Sequence, residues 1–136
     1  MYLLDTNVIS ELRKTRPHGG VIAWLDTVSI TEVFLPAFTI GELQAGAERT
    51  RRQDPRKAAE IEAWIEDLPG AWEIIPMDGS IFREWARLMA GKTDDLFEDA
   101  MIAATARVRG LTVVTRNVRD FQHFPVQVLN PFSPRR

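Results

Sequence analysis

Short apolar runs alternate with longer stretches of helical period along the whole chain, and that alternation narrows the fold more than any single residue does. The runs at 2–4, 32–38, 72–76, 111–115 and 126–129 read as strands. Their near-continuous apolar character, without strict alternation, predicts strands covered on both faces, as in a parallel sheet flanked by helices. Pro36 falls near the exit of the second run, where a missing amide does least harm. Helices are expected from Val8, Ile9 and Leu12, over 21–28, and from Thr39 onward with Ile40, Leu43 and Ala47 on one face. Asp54-Pro55 restarts the chain in a helix carrying Trp64, Ile65 and Leu68, which Pro69-Gly70 should end. Over 78–91, Ile81, Phe82, Trp85 and Leu88 form a stripe expected in the core. The helix opening at Phe97 and closed by Gly110 is built of small residues, Ala100, Ala103, Ala104 and Ala106, which predicts close packing on the sheet.

A chain of 136 residues, 45% hydrophobic, suits one α/β domain, expected over 1–136 with 130–136 as a short tail. It contains no cysteine, so disulfides and thiolate metal sites are excluded. No leader pattern and no apolar run near the ~20 residues needed to span a bilayer is present, so no membrane is implied and the cytoplasm is the expected compartment. The net charge of -2 argues against general coating of polyanions, yet positive charge is clustered at Arg49, Arg51, Arg52, Arg56 and Lys57. That cluster reads either as a solvated face or as a surface for nucleic-acid phosphates.

The acids carry the chemistry. In Tyr2-Leu3-Leu4-Asp5-Thr6-Asn7 the first run stops on a carboxylate, at the strand edge where open parallel sheets bind ligands. The alternative for Asp5 is a helix cap, accepting from Asn7 or Val8; two oxygens allow both roles. Glu42 is either the partner of Thr39 in a capping box or a site residue on the same rim. Asp99 stands in the first turn of the small-residue helix, where Asp94, Asp95 and Glu98 also complement the helix dipole at about 0.3–1 kcal/mol each. Asp120 follows the fourth strand. Each of Asp5, Glu42, Asp99 and Asp120 thus trails a strand of one sheet, and they should converge on one rim. Converging carboxylates repel unless some are protonated or a cation neutralises them. An all-oxygen set selects Mg²⁺ or Mn²⁺, the chemistry of metal-assisted phosphodiester hydrolysis. Thr6, Asn7, Thr115 and Asn117 supply hydroxyls and amides beside the acids for metal waters or a phosphate oxygen.

The segments Leu4-Asp5-Thr6-Asn7, Glu42-Leu43, Asp99-Ala100-Met101-Ile102-Ala103-Ala104-Thr105-Ala106 and Thr115-Arg116-Asn117-Val118-Arg119-Asp120-Phe121 together resemble the PIN-domain family, especially toxins of the VapC and FitB type. Order, spacing and total length all match. The resemblance implies a parallel sheet of order 3-2-1-4-5 and a Mg²⁺- or Mn²⁺-dependent ribonuclease. It implies an RNA substrate, a homodimer and inhibition by a cognate antitoxin. The family's acidic positions fall on Asp5, Glu42, Asp99 and Asp120, with metal held by Asp5, Asp99 and Glu42. The fourth position is shared between Asp120 and Asn117, where this chain carries an amide.

Two rival enzyme classes fail on chemistry. A phosphatase of the haloacid-dehalogenase type needs a second acid where Asn7 stands, and a response-regulator receiver needs a lysine after its last strand, yet none follows Lys92. A non-enzymatic rival remains, a scaffold that binds RNA or a partner around a structural ion. The two histidines, His18 and His123, lie far apart in sequence with nothing to pair them, so cleavage through the RNA 2′-hydroxyl is not expected.

Overall fold

The structure is a computed structural model that describes residues 1–133. Of the tail expected over 130–136, residues 134–136 lie outside the described residues. Five parallel strands, β1 (Tyr2–Leu4), β2 (Val33–Pro36), β3 (Glu73–Ile75), β4 (Thr112–Val114) and β5 (Val128–Leu129), form one sheet in the order β3-β2-β1-β4-β5. β1 is central, pairing Tyr2 with Val33 on one side and Leu4 with Val114 on the other. The helices are α1 (Thr6–Leu12), α2 (Gly19–Leu25), α3 (Ala37–Arg51), α4 (Pro55–Ala71), α5 (Gly79–Met89) and α6 (Phe97–Arg109).

The unalternating strands are explained by their two covered faces. Leu3 and Val113 belong to one core with Ile81, Leu88, Ala100, Ala103 and Phe121, whereas Leu4 and Val114 belong to a second core with Val8, Val21, Leu43, Ile65 and Leu68. Successive strand residues point to opposite faces, so α1 to α4 cover one side of the sheet and α5 and α6 the other. The chain steps outward from β1 through β2 to β3, then crosses back to β4 on the far side of β1. Strand order therefore reverses between β1 and β4, which opens a crevice beyond their carboxyl ends.

Several boundaries differ from the sequence expectations. α2 begins at Gly19 because His18 Nδ1 accepts from the Gly20 amide at 3.0 Å. α3 starts at Ala37, with no side-chain cap, so Thr39 lies inside the helix and the expected Thr39–Glu42 capping box does not form; that motif is instead found at Ser29 and Glu32. α4 continues through Pro69 to Ala71, since a proline in the last turn leaves only the carbonyl four residues back without its helical donor. Phe82 is 44% exposed, so the α5 stripe enters the core through Ile81 and Leu88 but not through Phe82. The tail is packed at its start: Phe132 is buried, its ring 5.2 Å from His18 and beneath the Arg116 guanidinium. Among the described residues no helix is long and apolar enough to cross a membrane.

The small-residue helix packs as its composition demands. Every residue of α6 from Ala100 to Ala106 is buried, since one side meets the sheet and the other α5. Gly110 closes it at φ 68°, a left-handed conformation, with the Leu111 amide bonded to the Ala106 carbonyl at 2.9 Å. Ala103→Leu should overpack this layer and cost about 1–3 kcal/mol, read as a lowered urea midpoint. Phe82→Ala should cost no more than about 0.5 kcal/mol. Equal midpoints for parent and Ala103→Leu would contradict the close packing.

Candidate active site at the carboxyl edge of the sheet

Asp5 sits directly on the crevice between β1 and β4, where its amide donates to the Val114 carbonyl at 2.9 Å. Both carboxylate oxygens are engaged. Oδ1 accepts from the Thr6 amide at 2.7 Å and caps α1, so the cap contact falls one residue earlier than Asn7 or Val8. Oδ2 accepts from the Thr115 hydroxyl at 2.8 Å and from Asn7 Nδ2 at 3.2 Å. Asn7 Oδ1 accepts in turn from the Arg116 amide, and Thr115 Oγ1 from the Asn117 amide at 2.9 Å. Asn7 and Thr115 therefore orient Asp5 through their side chains, whereas Asn117 enters the network through its backbone.

Glu42 reaches the same rim from the second turn of α3. The Thr6 hydroxyl donates to Glu42 Oε1 at 2.5 Å and lies 3.1 Å from the hydroxyl of fully buried Thr39. Thr6 thus links the first acid to the second, with its amide on Asp5 and its hydroxyl on Glu42. Asp99 arrives from the first turn of α6, placed by the packing of Ala100, Ala103 and Ala104 against the sheet. Asp120 lies in the 3-10 turn Val118–Phe121, anchored by buried Phe121.

Electrostatics shows that these acids form one group. Burial pushes the Asp5 carboxyl above the ordinary range against the pull of its Thr115, Thr6 and Asn7 hydrogen bonds, and the Asp120 charge adds to the rise. Glu42 is pushed up to about 7, by burial first and then by the charges of Asp5 and Glu98, against its bond from Thr6. Asp99 is pushed up to about 6 by burial, then by Asp120, Asp5 and Glu98. The acids share a field without forming a closed cage: among the described residues no three His, Asp or Glu side chains gather closely enough to hold an ion.

Sequence reasoning left Glu98 as a dipole-complementing residue, but its charge acts on both Glu42 and Asp99. Its position next to Asp99 in the same helical turn was the available signal. The positive cluster divides. Arg49 lines a groove beside Thr6 and Glu42, whereas Arg51 is bound to Glu48 at 3.1 Å and Glu62 at 3.0 Å. Arg52, Arg56 and Lys57 are exposed around the α3–α4 connection.

A sheet of order 3-2-1-4-5 with acids converging at its reversal point defines a class, and comparison with known proteins places the chain in it. Residues 2–126 match the PIN domain model, and this chain belongs to the PIN-domain family. It is 37% identical to the VapC ribonuclease Y4jK of Sinorhizobium fredii, over 98% of this chain and 99% of that one. It is 35% identical to Toxin FitB of Neisseria gonorrhoeae, over 97% and 99% of the two. Among solved structures it resembles FitAB bound to an IR36 DNA fragment, with TM-score 0.83, 31% identity and coverage of 100% of this chain and 99% of that one.

The raised carboxyls predict a pH-dependent instability. In the unfolded chain Glu42 and Asp99 titrate near 4.5 and 3.8, in the folded one near 7 and 6, so the folded state holds protons more tightly. Stability is greatest below the unfolded values and is lost as pH rises through the folded ones. Glu42→Gln should therefore stabilise the metal-free protein at pH 8, by on the order of 1–2 kcal/mol after allowance for partial solvent screening, and change it little near pH 4. Thermal melts in EDTA at the two pH values check this, and a gain of equal size at both would refute it.

Proposed function

We propose that this chain is a Mg²⁺- or Mn²⁺-dependent endoribonuclease, the toxin half of a type II toxin–antitoxin pair. The observation that carries the reading is the meeting of Asp5, Glu42 and Asp99 at the β1/β4 crevice with all three carboxyls raised. The donor chemistry suits a hard divalent ion, and binding one would draw the acids closer together than they stand here. The donor set is all oxygen, and acids that hold their protons this tightly are the ones a cation would stabilise in ionised form. Asp5, Asp99 and Glu42 would hold it, with Asp120 at the periphery. Bound there, a divalent cation would supply neutralising charge for the acids and an incoming phosphate, and Lewis acidity toward a water.

The chain's own residues do the rest. Asp5 is fixed in orientation by Thr6, Asn7 and Thr115, with Oδ1 keeping one lone pair beyond its bond from the Thr6 amide. Glu42 holds its proton to about pH 7 in the metal-free site, so a divalent cation bound there would displace that proton. The histidines offer no alternative pair: His18 caps α2 and packs on Phe132, and His123 packs beside Phe124.

The name FitAB in the solved neighbour, and the Neisseria gonorrhoeae FitAcB structure at 32% identity and TM-score 0.79, support an antitoxin protein as partner. A homodimer is supported by the exposed aromatic face of Phe82 and Phe97, the latter 4.7 Å from the Trp85 ring. Light scattering at about tens of micromolar should give the dimer mass, and a monomer there would count against it.

The open spacing of the acids favours one second reading, a scaffold that binds RNA around a structural ion with little turnover. Cleavage under excess RNA separates the two. The nuclease should show multiple turnovers, stop with EDTA, resume with Mg²⁺ or Mn²⁺, and leave 5′-phosphate and 3′-hydroxyl ends. Asp5→Asn and Asp99→Asn should each lower the rate by about a hundredfold or more while keeping the fold, with Asp120→Asn milder. An Asp5→Asn protein as fast as the parent, or cyclic-phosphate ends, would defeat the assignment.

A further inference from the structure

A groove of about 360 Å³ runs between α1, α3 and α4 and shares Thr6 and Glu42 with the acid site. Its charge is opposite to that of the site. Arg13 and Lys14, just beyond α1, and Arg49 on α3 all line it. Lys14 is paired with Glu11 at 2.9 Å, but among the described residues Arg13 and Arg49 form no ion pair. The Arg49 guanidinium lies beside Gly46, its Nη2 atom 3.7 Å from where a side chain there would begin. Half-buried Trp64, on α4, completes the lining with an aromatic surface.

Two free guanidiniums, an indole and a neighbouring acid cluster call for a specific kind of occupant. A ligand with a single negative charge would use one arginine, whereas a polyanion uses both and continues toward the acids. An aromatic surface next to phosphate-binding cations suits an unstacked base, which a single strand offers and a duplex does not. We propose that this groove holds the single-stranded RNA adjoining the cut bond, with Arg13 and Arg49 on its phosphates and Trp64 against a base. The assignment rests on the ribonuclease reading above, and it separates Arg49 from the rest of the basic cluster, where Arg51 is already committed to Glu48 and Glu62.

The probe is a labelled random-sequence single-stranded RNA of about 12 nucleotides, followed by anisotropy against salt in an Asp99→Asn background with Mg²⁺. Replacing Arg13 and Arg49 together by Ala should weaken binding by about tenfold and flatten the log–log salt slope by about 1.4, or 0.7 for each lost phosphate contact. Lysine at both positions should restore the slope. Trp64→Leu should lower affinity with the slope unchanged, since stacking releases no counterions, while Trp64→Phe stays near the parent. Arg56→Ala with Lys57→Ala should leave both quantities unaltered.

An unchanged slope in the Arg13/Arg49 variant overturns the proposal. So does equal flattening by the Arg56/Lys57 pair, or a groove variant that loses only the antitoxin protein, which would assign the face to that partner. A parent protein that binds RNA with this salt dependence and cleaves none defeats the nuclease reading and leaves the groove standing. A parent that cleaves RNA while the groove variant keeps its KM and slope does the reverse.

Discussion

The junction of β1 with β4 is the contact on which the rest of the molecule depends. β1 is only three residues long, yet it is hydrogen-bonded on both sides, and the Asp5 amide extends its ladder onto the Val114 carbonyl. The same residue then ends the strand, starts α1 with one carboxylate oxygen and ties the β4 exit to itself with the other through Thr115. One side chain thus sets the position of two strand ends and a helix start. The reversal of strand order falls at this point, so the crevice and the acid that occupies it arise together.

Charge is distributed around that junction in a way the net value conceals. Asp5, Glu42 and Asp99 come from separate elements, and their carboxyls are raised by burial first and then by neighbouring acids, a standing cost the cores on both faces of the sheet must outweigh. Of the cations adjoining them, Arg13 just beyond α1 and Arg49 on α3 form no ion pair among the described residues. Separated patches of opposite sign can orient a polyanion. Thr6 stands at the boundary between the two, bonded to Asp5 and Glu42 and lining the groove.

The close packing of α6 belongs to the same design. Asp99 can reach the crevice only because the residues behind it, Ala100, Ala103 and Ala104, have side chains small enough to bring the helix onto the sheet. Larger residues there would lift the first turn away from β1 and β4. Burial of that turn is also the main reason the Asp99 carboxyl is raised, so packing and electrostatics share one cause.

The order of the elements, the two-faced cover of the sheet and the convergence of Asp5, Glu42 and Asp99 were legible in the residues, because they follow from local patterns: apolar runs, small-residue spacing and an acid at a strand end. Glu42 marks the limit of that legibility. By sequence it was divided between a cap and a site; the start of α3 at Ala37 removes the cap, and the Thr6 hydroxyl 2.5 Å away ties Glu42 to the neighbourhood of Asp5. Glu98 and Arg13 were hidden for the same reason, and Arg49 could not be told apart from the rest of its basic cluster. Their roles come from neighbours distant in sequence, Glu42 for Glu98, and α4 and the acid site for the two arginines. The sequence by itself determined which stretches are strands and helices and which acids trail the strands, since those depend on side chains a few residues apart. Only the tertiary structure decided which charges meet across the crevice and which stay free in the groove, since those depend on how separate helices are set against one sheet.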